Sequence, residues 1–267
     1  MMLKPASFFA GAVILACVMG TAAQSPERAA TPRSQSVECT ALTGRTFDNG
    51  TSIIDSTLVT SGPLRISDTI TIPNLPSFCR VQAVSRPSAV SHIQFEVWLP
   101  QPAAWNRKFL STGEGGFAGQ LNYQRNGLDG AMDELLRRGY ATASTDTGHL
   151  SSDQWWAVGH PEKAADYLYR AKHVTTVAAK AIIATYYGAP PTRSYFSSCS
   201  NGGRQGLIEA QRYPDDFDGL IIGAPWNFQS HSNAGFIWDA QALAAPGAAI
   251  AEEKLPAITA GQYRLRA

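Results

Sequence analysis

Residues 193–214 constrain the fold of this chain more than any other stretch. Tyr195-Phe196 is a short β-favouring run, and Ser197-Ser198-Cys199-Ser200-Asn201-Gly202-Gly203 makes a tight turn of mostly small residues. A helical pattern follows at Arg204, Leu207, Ile208, Ala210 and Gln211 and ends at Tyr213-Pro214. Strand, sharp turn and helix in that order leave Ser200 at the apex of the turn. The helix aims its N-terminal amides at any negative charge developing beside that hydroxyl. Gly202 and Gly203 allow the helix to lie close against the strand. The alternative is an ordinary strand-to-helix turn in which a serine only caps the helix.

Segments on either side extend the pattern. Residues 92–100 alternate apolar and polar side chains, as a half-buried strand does, and Pro100 and Pro102 end the run. Shorter β-like runs lie at 52–59, 78–84 and 107–111. Helical spacing covers 128–138 and stops at Gly139, and 140–145 reads as a strand. The longest helical pattern, 166–187, closes on Gly188 with Pro190-Pro191 behind it. Residues 218–223 are a further buried-type strand. Strand, helix, strand, helix, strand predicts a parallel sheet, preceded here by antiparallel strands. The elbow then fits the serine turn of an α/β-hydrolase, except that Ser198 stands where the first glycine of Gly-x-Ser-x-Gly is usual.

A second glycine-rich stretch, Thr112-Gly113-Glu114-Gly115-Gly116-Phe117-Ala118-Gly119, follows the 107–111 strand. It lacks the Gly-Lys-Ser/Thr ending of a nucleotide loop, and Glu114 is expected to repel phosphate. In α/β-hydrolases the loop after the third strand donates the first oxyanion-hole amide. On that reading Gly116 is the first choice of donor, Gly115 the second, and the amide of Asn201 the partner donor. A flexible surface loop is the plain alternative.

Three motifs in fixed order closely resemble the tannase/feruloyl esterase family: Cys199-Ser200-Asn201-Gly202-Gly203-Arg204-Gln205-Gly206, Tyr213-Pro214-Asp215-Asp216-Phe217-Asp218-Gly219, and Gly223-Ala224-Pro225. The resemblance runs from about Cys39 to about Ala260. It implies a serine carboxylesterase acting on small esters of aromatic acids. It also implies that Cys199 is a structural cysteine whose disulfide partner lies beside the catalytic histidine, beyond residue 267. The family's structural calcium sits in a lid region, which is not seen in this chain. No metal site and no cofactor are therefore expected within it, and Asp215-Asp216 is not a calcium loop.

The net charge of +1 offers no basic field for nucleic acid. At the N-terminus, Lys4, an apolar run over 6–20 and Thr21-Ala22-Ala23 read as an export signal over 1–23. That run is short for a membrane span. Residues 24–36 read as a flexible lead-in and 37–267 as the N-terminal part of a catalytic domain. The expected location is secreted or periplasmic, with no membrane attachment after cleavage. Three cysteines remain after the signal. In an oxidising compartment Cys39 and Cys79 are expected to pair, leaving Cys199 without a partner in the chain.

A serine nucleophile needs a base, and the base needs an acid to orient it. His149 precedes Ser200, against the Ser, acid, His order of the fold. A structural or substrate-proximal role is the expectation for it, and Asp146 and His149 are expected to line the cleft. His231, the one histidine after Ser200, reads as a loop residue. The expected fold is therefore an α/β-hydrolase lacking its C-terminal strands, lid, acid and histidine. Two other readings stay open. One is a non-catalytic remnant that binds aromatic ligands. The other makes Cys199 the nucleophile, which the glycine two places after Ser200 disfavours.

Overall fold

The structure is a computed structural model that describes residues 36–124, 130–248 and 250–264. The expected signal, 1–23, and nearly all of the expected lead-in lie outside the described residues. Among the described residues, ten strands and six α-helices follow in chain order. The strands are β1 (Thr46–Phe47), β2 (Thr51–Val59), β3 (Gly62–Arg65), β4 (Thr71–Leu75), β5 (Phe78–Ser85), β6 (Ile93–Pro100), β7 (Lys108–Thr112), β8 (Ala141–Thr145), β9 (Arg193–Cys199) and β10 (Gly219–Gly223). The helices are α1 (Met132–Arg137), α2 (Pro161–Ala165), α3 (Ala171–Tyr187), α4 (Asn201–Arg212), α5 (Gln229–Ala244) and α6 (Leu255–Arg264).

Eight strands form one sheet in the order β1-β2-β5-β6-β8-β7-β9-β10, and β3 and β4 form a separate hairpin. Pairing is antiparallel from β1 to β8 and parallel through β8, β7, β9 and β10. The antiparallel run and the parallel run expected from the sequence are thus halves of one sheet, joined where β6 pairs with β8.

Alternation along β6 shows how the sheet is covered. Phe95, Val97 and Leu99 face the main core, which Ala178, Ala179, Ile182 and Ile183 of α3 close. Trp98 faces the opposite side, packed with Phe78, with Ile72 and Leu75 of the hairpin, and with Met132 and Leu136 of α1. Gly188 ends α3 in the left-handed conformation, φ 69°, as its place before two prolines requires.

Cys39 and Cys79 form a disulfide, as expected, across a sequence separation of 40. Closing a loop of that length stabilises the fold by about 4 kcal/mol in the chain-entropy treatment.

Two helices differ from the sequence reading. The long helical stretch begins at Pro161 instead of 166, and a single π-helical turn over Asp166–Arg170 joins α2 to α3. Burial explains that turn: Asp166 is held by Arg170 Nε at 2.6 Å, and Tyr167 is turned inward. His231 lies in the first turn of α5, exposed, and not in a loop. The helix that carries Trp238 begins at Gln229.

Candidate functional site

β9 ends at Cys199, and α4 starts at Asn201. Ser200 between them has φ 58° and ψ −122°, a strained backbone for a residue with a Cβ. Three hydrogen bonds hold it there. Its N–H donates to Gly223 O at 3.0 Å, and its carbonyl accepts from Arg204 N at 3.0 Å and Trp226 N at 2.9 Å. Ser200 is exposed, at the C-terminal edge of the parallel strands and the N-terminus of α4.

The glycines of α4 bring the helix onto the sheet. A Cβ at position 202 would lie 2.0 Å from Ser198 Oγ, and one at 203 would lie 2.5 Å from Gly223 O. Ser198 in the usual glycine place is thus accommodated by Gly202. Its hydroxyl is buried without a hydrogen-bond partner.

The loop after β7 is fastened to the elbow. Gly113 lies against Gly202, where a Cβ would meet the Gly202 Cα at 2.7 Å. Glu114 N donates to Gln205 Oε1 at 3.2 Å, and Asn201 Nδ2 donates to Glu114 O at 3.1 Å. The Glu114 side chain is buried. Its Oε1 accepts from Lys172 Nζ at 3.0 Å, Ser144 Oγ at 2.9 Å and Thr145 N at 3.1 Å. The carboxylate therefore points inward at a lysine. The sequence expectation that it repels phosphate at the mouth of the loop is corrected: its charge is compensated inside the protein.

Beyond Glu114 the chain turns, with Ala118 N donating to Gly115 O at 2.9 Å. Gly115 is half-buried. Gly116, at φ 58°, is exposed, with nothing within 4 Å of where a Cβ would stand. His149 Nε2 bonds Phe117 O at 2.9 Å and so grips the far side of the turn. Burial pushes the His149 pKa down, which favours the neutral ring. In that state Nε2–H donates to the carbonyl.

Asn201, expected as the second amide donor, is fully buried. Its side chain is committed elsewhere: Oδ1 accepts from Tyr167 OH at 3.0 Å and Arg204 Nε at 2.9 Å. Its backbone N–H belongs to the first turn of α4, where helix geometry supplies no acceptor.

Aromatic side chains ring this region. Trp156 stacks on His149 with centroids 3.9 Å apart, Tyr167 meets both edge-on, and Phe117 meets Trp226 edge-on at 5.2 Å. Phe117, His149 and Trp156 line a cleft of about 530 Å³. Asp146 does not line it, contrary to expectation. Its buried carboxylate accepts from Gly148 N at 2.7 Å and Gln94 N at 3.0 Å and shapes the turn that carries His149. Burial raises the Asp146 pKa to about 7.

None of the five histidines hydrogen-bonds Ser200. His92 faces Arg86, His149 holds Phe117, His173 pairs with Asp216, His231 lies beside Ser230, and exposed His160 precedes α2. Cys199 is free and half-buried. Among the described residues one grouping of acids and histidines brings its ligand atoms together: His173, Glu209 and Asp216. It mixes one nitrogen with two carboxylates, unlike calcium's six to eight oxygens.

Comparison with known proteins agrees with this geometry. The family model described as tannase and feruloyl esterase matches residues 79–263. The chain belongs to the tannase and feruloyl esterase family. An uncharacterized esterase of Xanthomonas campestris is 42% identical over 234 residues, covering 86% of this chain and 39% of that protein. A probable feruloyl esterase B-1 of Neosartorya fischeri is 39% identical over 159 residues, 59% of this chain and 29% of the relative. The crystal structure of feruloyl esterase B from Aspergillus oryzae superposes with a TM-score of 0.63 at 32% identity, covering 70% of this chain and 36% of that one. The fold is therefore of α/β-hydrolase type, and the chain spans well under half the length of these relatives.

Sequence reasoning missed the anchors of the loop: Lys172, Gln205 and Tyr167. Two signals were available. Lys172 is the one charged residue among the buried residues of α3, and Gln205 follows Asn201 at helical i, i+4 spacing, so the two share a face.

Proposed function

We propose that this chain carries the nucleophile half of an exported serine esterase acting on small esters of aromatic acids. The observation that carries the reading is Ser200, held at positive φ on the N-terminus of α4 and hydrogen-bonded through its backbone to Gly223 and Trp226. Its Oγ attacks the ester carbonyl carbon as a base takes its proton. The carbonyl oxygen becomes an oxyanion received by the amides of Asn201 and Gly116, with Gly115 as the alternative donor. Collapse expels the alcohol, which takes the proton back, and leaves an acyl group on Ser200. Water then repeats the sequence and releases the acid.

The fastened loop supports this role, because preorganised donors need no rearrangement as charge develops. The Phe117, His149 and Trp156 cleft suits a flat aromatic ring. Cys199 is read as a structural cysteine that pairs beside the base. The base and its acid come from sequence outside residues 1–267. Export is supported by the Cys39–Cys79 disulfide. No helix among the described residues is long and apolar enough to cross a membrane.

The test is hydrolysis of methyl ferulate and methyl gallate by residues 24–267 and by a version extended through a downstream acid and His-Cys segment. The short chain should turn over negligibly. The extended one should be active and lose at least ~10³-fold on Ser200→Ala. Serine-dependent turnover by the short chain, abolished by His149→Ala or His231→Ala, overturns the assignment.

That none of the five histidines hydrogen-bonds Ser200 favours a second reading, a fragment that binds aromatic acids without turnover. Saturable ferulate binding by the extended chain, with no hydrolysis, distinguishes it.

A further inference from the structure

Behind the elbow, where the end of α4 meets the start of α3, lies a polar group that the esterase reading does not use. Glu209, in the last turn of α4, is 1% exposed. No N–H or O–H donor reaches either of its carboxylate oxygens, and the polar group within its own hydrogen-bond reach is another carboxylate, that of Asp216. Such a group is costly to bury and calls for an explanation. The two nearby cations do not supply one. Lys172 is committed to Glu114 and Thr112 O, and Lys180 Nζ is turned to Asp215 O at 3.4 Å.

What Glu209 does face is a histidine and a second carboxylate. One ligand atom each of Glu209, His173 and Asp216 lie within 4.8 Å of one another. His173 Nδ1 is 2.7 Å from Asp216 Oδ2. The imidazole is stacked on Tyr213, centroids 3.8 Å apart and planes 8° from parallel, which fixes the direction of Nδ1. Asp216 is fixed in turn by Asp216 N donating to Tyr213 O at 2.9 Å. Three elements (α3, α4 and the turn before β10) thus converge on one point.

We propose that His173, Glu209 and Asp216 form a binding site for one divalent transition-metal ion of the zinc class. Metal bonds of about 2.1 Å in tetrahedral geometry set ligand atoms about 3.4 Å apart. The longest side of the triangle therefore contracts by no more than about 1.4 Å, and the 2.7 Å His173–Asp216 side opens by about 0.7 Å as the ion takes the place of their hydrogen bond. One imidazole nitrogen and two carboxylate oxygens suit zinc, cobalt or manganese, whereas calcium and magnesium take all-oxygen shells. The His173 side chain is 29% exposed, so the site is reachable from solvent. Bound there, the ion clips the base of the elbow helix to α3 and supplies the partner Glu209 lacks. A proton is the competing occupant, since burial and the Asp216 charge raise the Glu209 pKa to about 9. Metal binding must displace that proton, so affinity rises with pH. Spacing along the chain could not reveal this group, because residues 173, 209 and 216 belong to three different elements. A metal at this place would run against the sequence expectation of no metal site. The inference does not depend on Ser200 being a nucleophile.

The test is titration of the untagged, chelator-stripped full chain with Co²⁺, read by its visible d–d absorption, then displacement by Zn²⁺. One Co²⁺ per chain is expected. Zn²⁺ should raise the melting temperature, and Glu209→Gln should weaken binding at least ~100-fold. Asp216→Asn and His173→Gln serve as second variants, with circular dichroism confirming their fold. The titration of the unmutated chain decides on its own if a variant does not fold. No saturable uptake overturns the proposal. So does uptake indifferent to every one of these substitutions in folded protein, which marks an adventitious ion only.

Discussion

Gly202→Ala tests whether Ser198 and Gly202 share one space between β9 and α4. The added methyl would stand 2.0 Å from Ser198 Oγ, 2.6 Å from Ser198 Cβ and 3.2 Å from the Gly113 carbonyl carbon. The first two contacts are impossible, and Ser198 Cβ is fixed by a strand paired on both sides. The helix must move, so the cost belongs at the upper end of overpacking, about 3 kcal/mol. Ser198→Gly removes both impossible contacts and leaves the one at 3.2 Å, which small shifts absorb. On its own, Ser198→Gly should be close to neutral. Glycine in a strand costs about 0.5–1 kcal/mol, and this is offset by losing a buried hydroxyl without a partner. The double variant should therefore recover about 1.5–2 kcal/mol of the Gly202→Ala loss. Urea unfolding of all four proteins gives the coupling, provided the slopes agree. A coupling below about 0.5 kcal/mol would refute the shared-space argument.

Lys172→Met strands the buried Glu114 carboxylate and should cost about 3–5 kcal/mol, whereas pairing it with Glu114→Gln should restore most of that; denaturant midpoints check both. The pH dependence of the metal-free chain should carry a signature of Glu209. Its folded pKa, about 9, lies above the unfolded carboxylate value, so the folded state binds the extra proton between them. That contribution is complete below the unfolded pKa, about 4.3, and fades as pH rises through the folded one, by at most about 1.4 kcal/mol per pH unit. Asp216, His173, Lys172 and Lys180 surround the group and moderate the slope. Glu209→Gln should flatten stability between pH 5 and 9 on the order of that amount, measured by urea unfolding; an unchanged slope counts against a protonated Glu209.

The sheet and the elbow were legible because they rest on local signals. Alternation in β6, the apolar run of β10 and the glycines after Ser200 each mark an element within a few residues. The burial expected of two of them is corrected: β6 is buried on both faces because helices and the hairpin cover it, and β10, at the sheet edge, has no buried residue and leaves Ile221 exposed. The Cys39–Cys79 pairing was also legible, from compartment and cysteine count. Less legible were features created by contacts between distant segments. Glu114 looks like an exposed acid in a glycine loop until Lys172, 58 residues on, is brought beneath it. Asp146 sits at the end of a strand, where cleft residues usually lie, but the turn at Gly148 folds its carboxylate inward. His231 was misread because polar Gln229-Ser230-His231-Ser232-Asn233 lacks an apolar stripe, and α5 has no buried residue to create one.

The cross-ties between the glycine loop and the elbow helix join residues 87 and 91 positions apart. Contacts of that range form only after a large loop has closed, so they belong to the slow part of folding. A refolding chain can therefore regain helix and strand signals before the loop after β7 is fastened to the elbow. Recovery of ligand binding should lag recovery of circular dichroism. The site then acts as a clock that reports the completion of the whole sheet, not of any local segment.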